Sequence, residues 1–163
     1  MSWDMKHELR RAHETRLIWY VWRNLYRREL LKQNELYFYE DIRFAEDSPF
    51  NLYAFYAAKR VKALDEGYYM YRWNPQSLTE LPFKPYMDDS LIRQYRAKKR
   101  FYETFQMFED CAEDLQTYMC KHQIPMLLAN ACAERKPSKQ VRRHIRDILS
   151  YRMVRSSVKK TSI

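Results

Sequence analysis

Apolar positions recur with helical period over most of this chain. From His7 to Gln33 no proline or glycine interrupts the sequence, and Leu9, Leu17, Tyr20, Val21, Leu25 and Leu30 offer an apolar face among many arginines, which predicts one or two helices. Asn34 to Asp47 mixes Tyr37, Phe38, Tyr39 and Phe44 with carboxylates and predicts a short extended segment followed by a loop. Ser48-Pro49 then reads as a helix start. Serine caps free N–H groups there, and proline at the first helical position loses nothing by lacking its own. Phe50, Tyr53, Ala54 and Ala57 keep the spacing of one buried helical face, predicting a helix over about 49–59. Two short strands are expected next, over 60–64 and 68–73, with Asp65-Glu66-Gly67 as the turn and Tyr69, Tyr71 and Trp73 alternating on one side. Asn74-Pro75 ends the second.

Beyond Pro82 and Pro85, the residues Leu91, Tyr95, Tyr102, Phe105, Phe108, Ala112, Leu115 and Met119 follow near-heptad spacing. They predict one long helix from Asp88 to about His122, roughly 50 Å at 1.5 Å rise per residue. A shorter helix is expected after Pro125, and Pro137-Ser138 opens a last one to about Arg155. The expected class is α/β and helix-dominated, with one unit over 1–86 and a helical extension over 87–163. No internal repeat is present.

Composition narrows the functions. Apolar residues make up 46% and charged residues 31%, with a mean hydropathy of −0.76. That balance suits a folded, surface-rich chain rather than a disordered or membrane-spanning one. No apolar run reaches the roughly 18 residues that a spanning helix needs. Met1 to Glu14 is charged without an apolar signal core, so a cytoplasmic location is expected. Gly67 is the single glycine, which excludes a P-loop and a GxGxxG dinucleotide site, because both need several glycines for close approach to phosphate. Cys111, Cys120 and Cys132 follow no ligand spacing and read as reduced thiols. Fourteen tyrosines, eight phenylalanines and four tryptophans suit either a packed core or a groove for sugar rings or bases. The net charge of +9 favours acidic partners.

Three blocks of residues carry a more specific signal. They are Val21-Trp22-Arg23-Asn24-Leu25-Tyr26-Arg27-Arg28, then Ala45-Glu46-Asp47-Ser48-Pro49-Phe50-Asn51-Leu52, then Asp65-Glu66-Gly67-Tyr68-Tyr69-Met70-Tyr71-Arg72-Trp73-Asn74-Pro75-Gln76-Ser77-Leu78-Thr79. In that order and spacing they resemble the second half of bacterial family 2 glycosyltransferases. The resemblance implies the C-terminal part of a GT-A fold, whose sheet would end in the two short strands, followed by long helices. It implies transfer of a sugar from a nucleotide-activated donor to a glycan or lipid-linked acceptor in cell-surface polysaccharide or lipopolysaccharide assembly.

An inverting transfer needs a carboxylate within reach of the acceptor hydroxyl, to take its proton as the oxygen attacks the anomeric carbon. The resemblance gives that role to Asp47, with Glu46 contacting the acceptor or bracing the loop. From the residues alone, the pair reads first as the acidic decoration of a helix N-terminus, and only the flanking blocks favour the catalytic role. Arg72 is suited to a diphosphate leaving group and Ser77 to a further donor. The plain alternative is a surface arginine and a turn serine. Trp22 either packs under the acceptor site or belongs to a core.

The donor half of the pattern is missing. No strand-rich region precedes Trp22, and the aspartates never stand two apart, so there is no Asp-x-Asp motif to hold a metal against the diphosphate. The expectation is a truncated, split or remnant transferase with no cofactor of its own, Mn²⁺ or Mg²⁺ entering only with the missing half. His7 with His13, Cys120-Lys121-His122 and the carboxylates Glu109, Asp110, Glu113 and Asp114 are too thin to claim a metal. Finally, Lys139, Arg142, Arg143, Arg146, Arg152, Arg155, Lys159 and Lys160 oppose only Asp147, while Val141, Ile145, Ile148 and Leu149 keep helical spacing. A basic amphipathic helix of this kind lies on an anionic membrane, or else docks on its own domain. The rival readings from other classes are a small basic nucleic-acid-binding protein and an interaction module that pairs, or self-associates, through the long helix.

Overall fold

The chain is represented by a computed structural model that describes residues 18–75, 77 and 79–161, without the side chains at 110, 114 and 159–161. Most of these residues are helical, and no strand forms among them.

The first half of the helix expected over His7–Gln33 lies outside the described residues. Its remainder is interrupted. Val21–Arg23 form a single 3₁₀ turn, and α1 spans only Arg28–Gln33. The cause is local: the Asn24 side-chain amide donates to the Tyr20 carbonyl at 3.0 Å while its backbone N–H turns to Val21. A side chain competing for backbone partners in this way diverts the chain from a helix. Helix α1 closes with Glu35 in the left-handed region (φ 49°). The Leu36 N–H reaches back to the Leu31 carbonyl and the Glu35 N–H to Lys32. This is the Schellman closure, made here without glycine.

Helix α2, Asp47–Ala57, follows a loop without regular structure and agrees closely with the span the sequence predicts. Its start differs. Ala45 takes φ 59°, so Glu46 is already helical and its carbonyl accepts from Phe50. Ser48 therefore lies inside the first turn rather than capping it, and its hydroxyl is buried without a hydrogen-bond partner among the described residues. Pro49 still costs no helical bond, because the first four N–H groups of a helix have no intrahelical acceptor.

The two strands expected over 60–64 and 68–73 do not form. Every residue from 62 to 75 is exposed, and a hairpin with no face to bury does not hold a ladder in water. The long helix expected from Asp88 to His122 is broken as well. Helix α3, Met87–Thr104, ends at Gln106 in the left-handed region (φ 55°), with Met107 bonding back to Tyr102 and Gln106 to Glu103. It is the same glycine-free closure as at α1. It turns Met107 into the core, where it is almost fully buried.

Helix α4, Phe108–Tyr118, then runs through a π-helical turn at Met119–Gln123 into α5, Ile124–Ala133. The wider turn lets Ile124 bond to the Met119 carbonyl. It sits immediately ahead of Pro125, whose ring would clash with a carbonyl four residues back in a regular helix. The expected last helix is two: α6, Ser138–Ser150, and α7, Arg152–Thr161. They part at Tyr151, where the Ser150 hydroxyl occupies the Asp147 carbonyl at 2.6 Å.

Two apolar clusters hold these helices together. One joins Ile18, Leu52 and Phe55 to Phe101, Tyr102, Met107, Cys111 and Leu115, so it runs across position 86. The other joins Met87 and Leu91 of α3, Leu127 and Ala131 of α5 and Ile148 of α6. The first is rich in ring contacts, with Phe101 packed edge-on against Tyr53, Tyr56 and Tyr102. Such pairs add about 0.5–1.5 kcal/mol each beyond the area they bury.

Candidate functional site

Asp47 stands at the first position of α2, half-buried, and its Oδ2 accepts the Val21 N–H at 2.9 Å. Burial raises its pKa above the ordinary carboxylate value, and the Val21 bond opposes the rise. A base shifted this way holds a proton more readily than an exposed aspartate does. The helix N-terminus, by its dipole, favours the ionised form.

The loop that delivers Asp47 is fixed from three sides. Gln94 of α3 donates to the Ala45 carbonyl at 2.9 Å and is itself hydrogen-bonded to Gln123 of the π turn. The Ser90 hydroxyl accepts the Arg43 N–H at 3.1 Å. On the other side Asn51 donates to the Ile18 carbonyl at 3.1 Å and accepts from the Tyr26 hydroxyl. Burial pushes that hydroxyl up to about 12, and the nearby Asp47 charge adds to the shift.

The Val21–Asp47 bond ties the carboxylate to the backbone of the residue that precedes Trp22. Trp22 is not a core residue. It is partly exposed and stacks at a tilt on Tyr20, Tyr69 and Tyr71, with centroids 5.4, 5.0 and 5.3 Å away. Tyr69 and Tyr71 meet the same ring because alternate residues of an extended chain point to one side. The alternation survives although the strand does not.

The remaining candidates are placed more loosely. Glu46 is partly exposed at the N-cap of α2 and makes no capping bond with its side chain. Arg72 is exposed on the irregular segment and forms no hydrogen bond or ion pair among the described residues. Ser77 engages its own turn: its Oγ lies 2.8 Å from the Thr79 hydroxyl and accepts the Thr79 N–H at 3.4 Å. The structure therefore ties Asp47 to the backbone next to Trp22, and Trp22 to Tyr69 and Tyr71. It does not bring Arg72 or Ser77 into a hydrogen-bonded site with them.

Sequence reasoning missed Gln94, a polar residue at a fully buried position, and the pairing of Tyr69 and Tyr71 with Trp22. The tyrosines were legible as an alternating pair; nothing in the sequence distinguishes Gln94. Two cavities lie elsewhere. One, of about 560 Å³, is lined by Phe83, Asp88, Asn130, Glu134, Arg143 and His144 among others. There His144 spans Asp88 at 2.5 Å and Glu134 at 3.5 Å, using both ring nitrogens to clamp α6 onto α3 and the end of α5. The second, of about 390 Å³, lies between Leu36–Tyr39 and Phe50 and Tyr53 of α2. Among the described residues no group of three metal-ligating side chains converges.

The chain is similar to a protein named uncharacterized glycosyltransferase EpsJ, from Bacillus subtilis (strain 168). The two are 60% identical over 158 residues, which cover 97% of this chain and 46% of that protein. The chain thus spans about half the length of the curated relative it matches. That similarity supports a glycosyltransferase fragment, and the matched stretch takes in Trp22, Asp47 and Arg72. No family model and no solved structure matches the chain. No helix among the described residues is long and apolar enough to cross a membrane.

Proposed function

We propose that this chain carries the acceptor side of a family 2, GT-A type glycosyltransferase, and that the donor side belongs to polypeptide outside it. The single observation that carries the reading is the half-buried, helix-start position of Asp47, bonded to the backbone of the residue before Trp22. The glycosyltransferase similarity across that same stretch supports it.

In the proposed reaction, Asp47 accepts the proton of an acceptor hydroxyl as the oxygen forms its bond to the anomeric carbon. The bond from that carbon to the nucleoside diphosphate breaks, and the diphosphate leaves with the electron pair. Trp22, Tyr69 and Tyr71 offer ring faces against which a sugar of the acceptor glycan lies. Glu46, the residue before Asp47, contacts the acceptor or braces the loop. Arg72, exposed beside the aromatic cluster, meets the diphosphate only when the donor half is present, and Ser77 joins it by releasing its local turn.

Those residues do not fit a divalent cation, since no convergent ligand set is found among the described residues and no Asp-x-Asp occurs in the sequence. No step of this chain's own chemistry runs through a metal. In this reading Mn²⁺ or Mg²⁺ accompanies the donor half.

Calorimetric titration with UDP, GDP and dTDP sugars tests the division. The chain alone is expected to show no binding at millimolar ligand. Mixed with the portion of EpsJ that it does not match, it is expected to bind at least one donor. Binding by the isolated chain would overturn the proposed split.

A further inference from the structure

The apolar sides of α6 and α7 face inward. Ile148 and Val154 are buried, and Ile145 and Tyr151 pack on the cluster formed with α3 and α5. Ile145 and Ile148 of the apolar face that the sequence offers to a membrane are therefore taken up by the protein's own core, while Leu149 of that face is left outside it. What faces outward is cationic. Lys139, Arg142 and Arg146 follow one another at three- and four-residue spacing along one side of α6, and Arg152 and Arg155 are exposed on α7, beyond the break at Tyr151. All five are exposed, and none forms an ion pair among the described residues. Leu149, two turns beyond Arg142 on the same side, is 47% exposed.

We infer that this outer face docks the protein on an anionic lipid bilayer. The guanidinium groups engage headgroup phosphates by charge-assisted hydrogen bonds. Leu149 enters the boundary just beneath the headgroups, while the inward faces of α6 and α7 stay on the core. Charge complementarity selects an anionic partner, and the whole chain's charge of +9 adds long-range attraction. Leu149 selects among anionic partners. A large aliphatic side chain held outward between arginines gains nothing from a nucleic-acid backbone, but it loses its contact with water at a bilayer surface. Docking of this kind is peripheral, by a folded surface rather than by an unpacked amphipathic helix. It does not depend on the proposed catalytic reading.

Co-sedimentation with vesicles tests the inference. The chain is mixed with vesicles of phosphatidylcholine alone, or of phosphatidylcholine with an equal part of phosphatidylglycerol. Binding is expected only to the second, weakening as salt is raised. An Arg142→Gln/Arg146→Gln variant, with far-ultraviolet circular dichroism unchanged, is expected to bind on the order of tenfold or more weakly. Leu149→Ser should lose several-fold as well. An Arg60→Gln/Lys62→Gln variant, which removes the same charge from the exposed segment after α2, should stay within about twofold of the parent. The inference is overturned by failure to sediment with phosphatidylglycerol, or by equal loss in the Arg60/Lys62 control. Binding to duplex DNA that is tighter than vesicle binding and indifferent to Leu149→Ser would overturn it in favour of a nucleic-acid face.

Discussion

Seven residues of α2, out of its eleven, are buried, whereas every residue from 62 to 75 is exposed. Both stretches border the candidate site, α2 through Asp47 and the exposed segment through Tyr69 and Tyr71 on Trp22. The carboxylate is held by packed helices and by the hydrogen bond from Val21, with Gln94 fixing the loop behind it. The segment is held chiefly by its aromatic contact with Trp22. Four of its aromatic residues, Tyr68, Tyr69, Tyr71 and Trp73, are more than half exposed. The difference teaches that this chain supplies a finished support for one side of the site. The other side is a set of ring faces and a cation that lack a structural backing within the described residues, which fits a chain spanning about half of its relative.

The comparison breaks most visibly if the packed side proves soft. Phe101→Ala should cost about 3–5 kcal/mol, since it empties the centre of the first cluster. Tyr68→Ala on the exposed segment should stay within about 0.5 kcal/mol. Chemical denaturation of both variants checks the contrast.

A smaller effect of opposite sign is expected at Lys98. This side chain is fully buried, lies 3.7 Å from the centre of the Tyr118 ring and finds no hydrogen-bond acceptor among the described residues. Burial pulls its pKa from the ordinary 10.5 down to about 7. Between those values the unfolded chain binds more protons than the folded one, so this group makes stability rise with pH from about 7 toward 10.5. Lys98→Met should stabilise the fold by about 1–3 kcal/mol near neutral pH and flatten that rise. Thermal unfolding followed across the interval reads both effects.

Gln94→Ala removes the bond to the Ala45 carbonyl and strands Gln123, for about 1–3 kcal/mol. If the Asp47 loop is positioned by Gln94, turnover of the reconstituted enzyme should fall further than this loss of stability explains. At the small end, Trp22→Ala should cost about 1 kcal/mol or less. It should nevertheless speed chymotryptic cleavage across residues 68–73, because those residues would lose their shared ring.

The sequence made α2 legible to within two residues at each end, but not the place of Ser48 inside its first turn or the burial of Leu52 and Phe55 off the expected face, which depends on packing from other helices. The helix breaks at Glu35 and Gln106 were not legible: each is a left-handed closure made by a residue other than glycine, so the usual punctuation is absent. The join between α4 and α5 was read as a gap because Pro125 ends ordinary helices, and a π turn ahead of it absorbs the conflict. The expected strands failed for the opposite reason. Their alternation is real, as the Trp22 cluster shows, but alternation supplies a ladder only when a partner covers one face. Asp47 stood out by resemblance rather than by any local rule. Its burial and its bond to Val21 depend on contacts 26 residues apart, which spacing does not reveal.

The most direct test of the central claim is release of nucleoside diphosphate by the chain combined with the portion of EpsJ that it does not match, measured with Asp47 intact and as Asp47→Asn. The account predicts a loss of roughly 10²–10⁴-fold in turnover with donor binding preserved, as removal of a general base requires. Undiminished turnover in the Asn variant would contradict it and return Asp47 to the ordinary role of an acidic residue at a helix start.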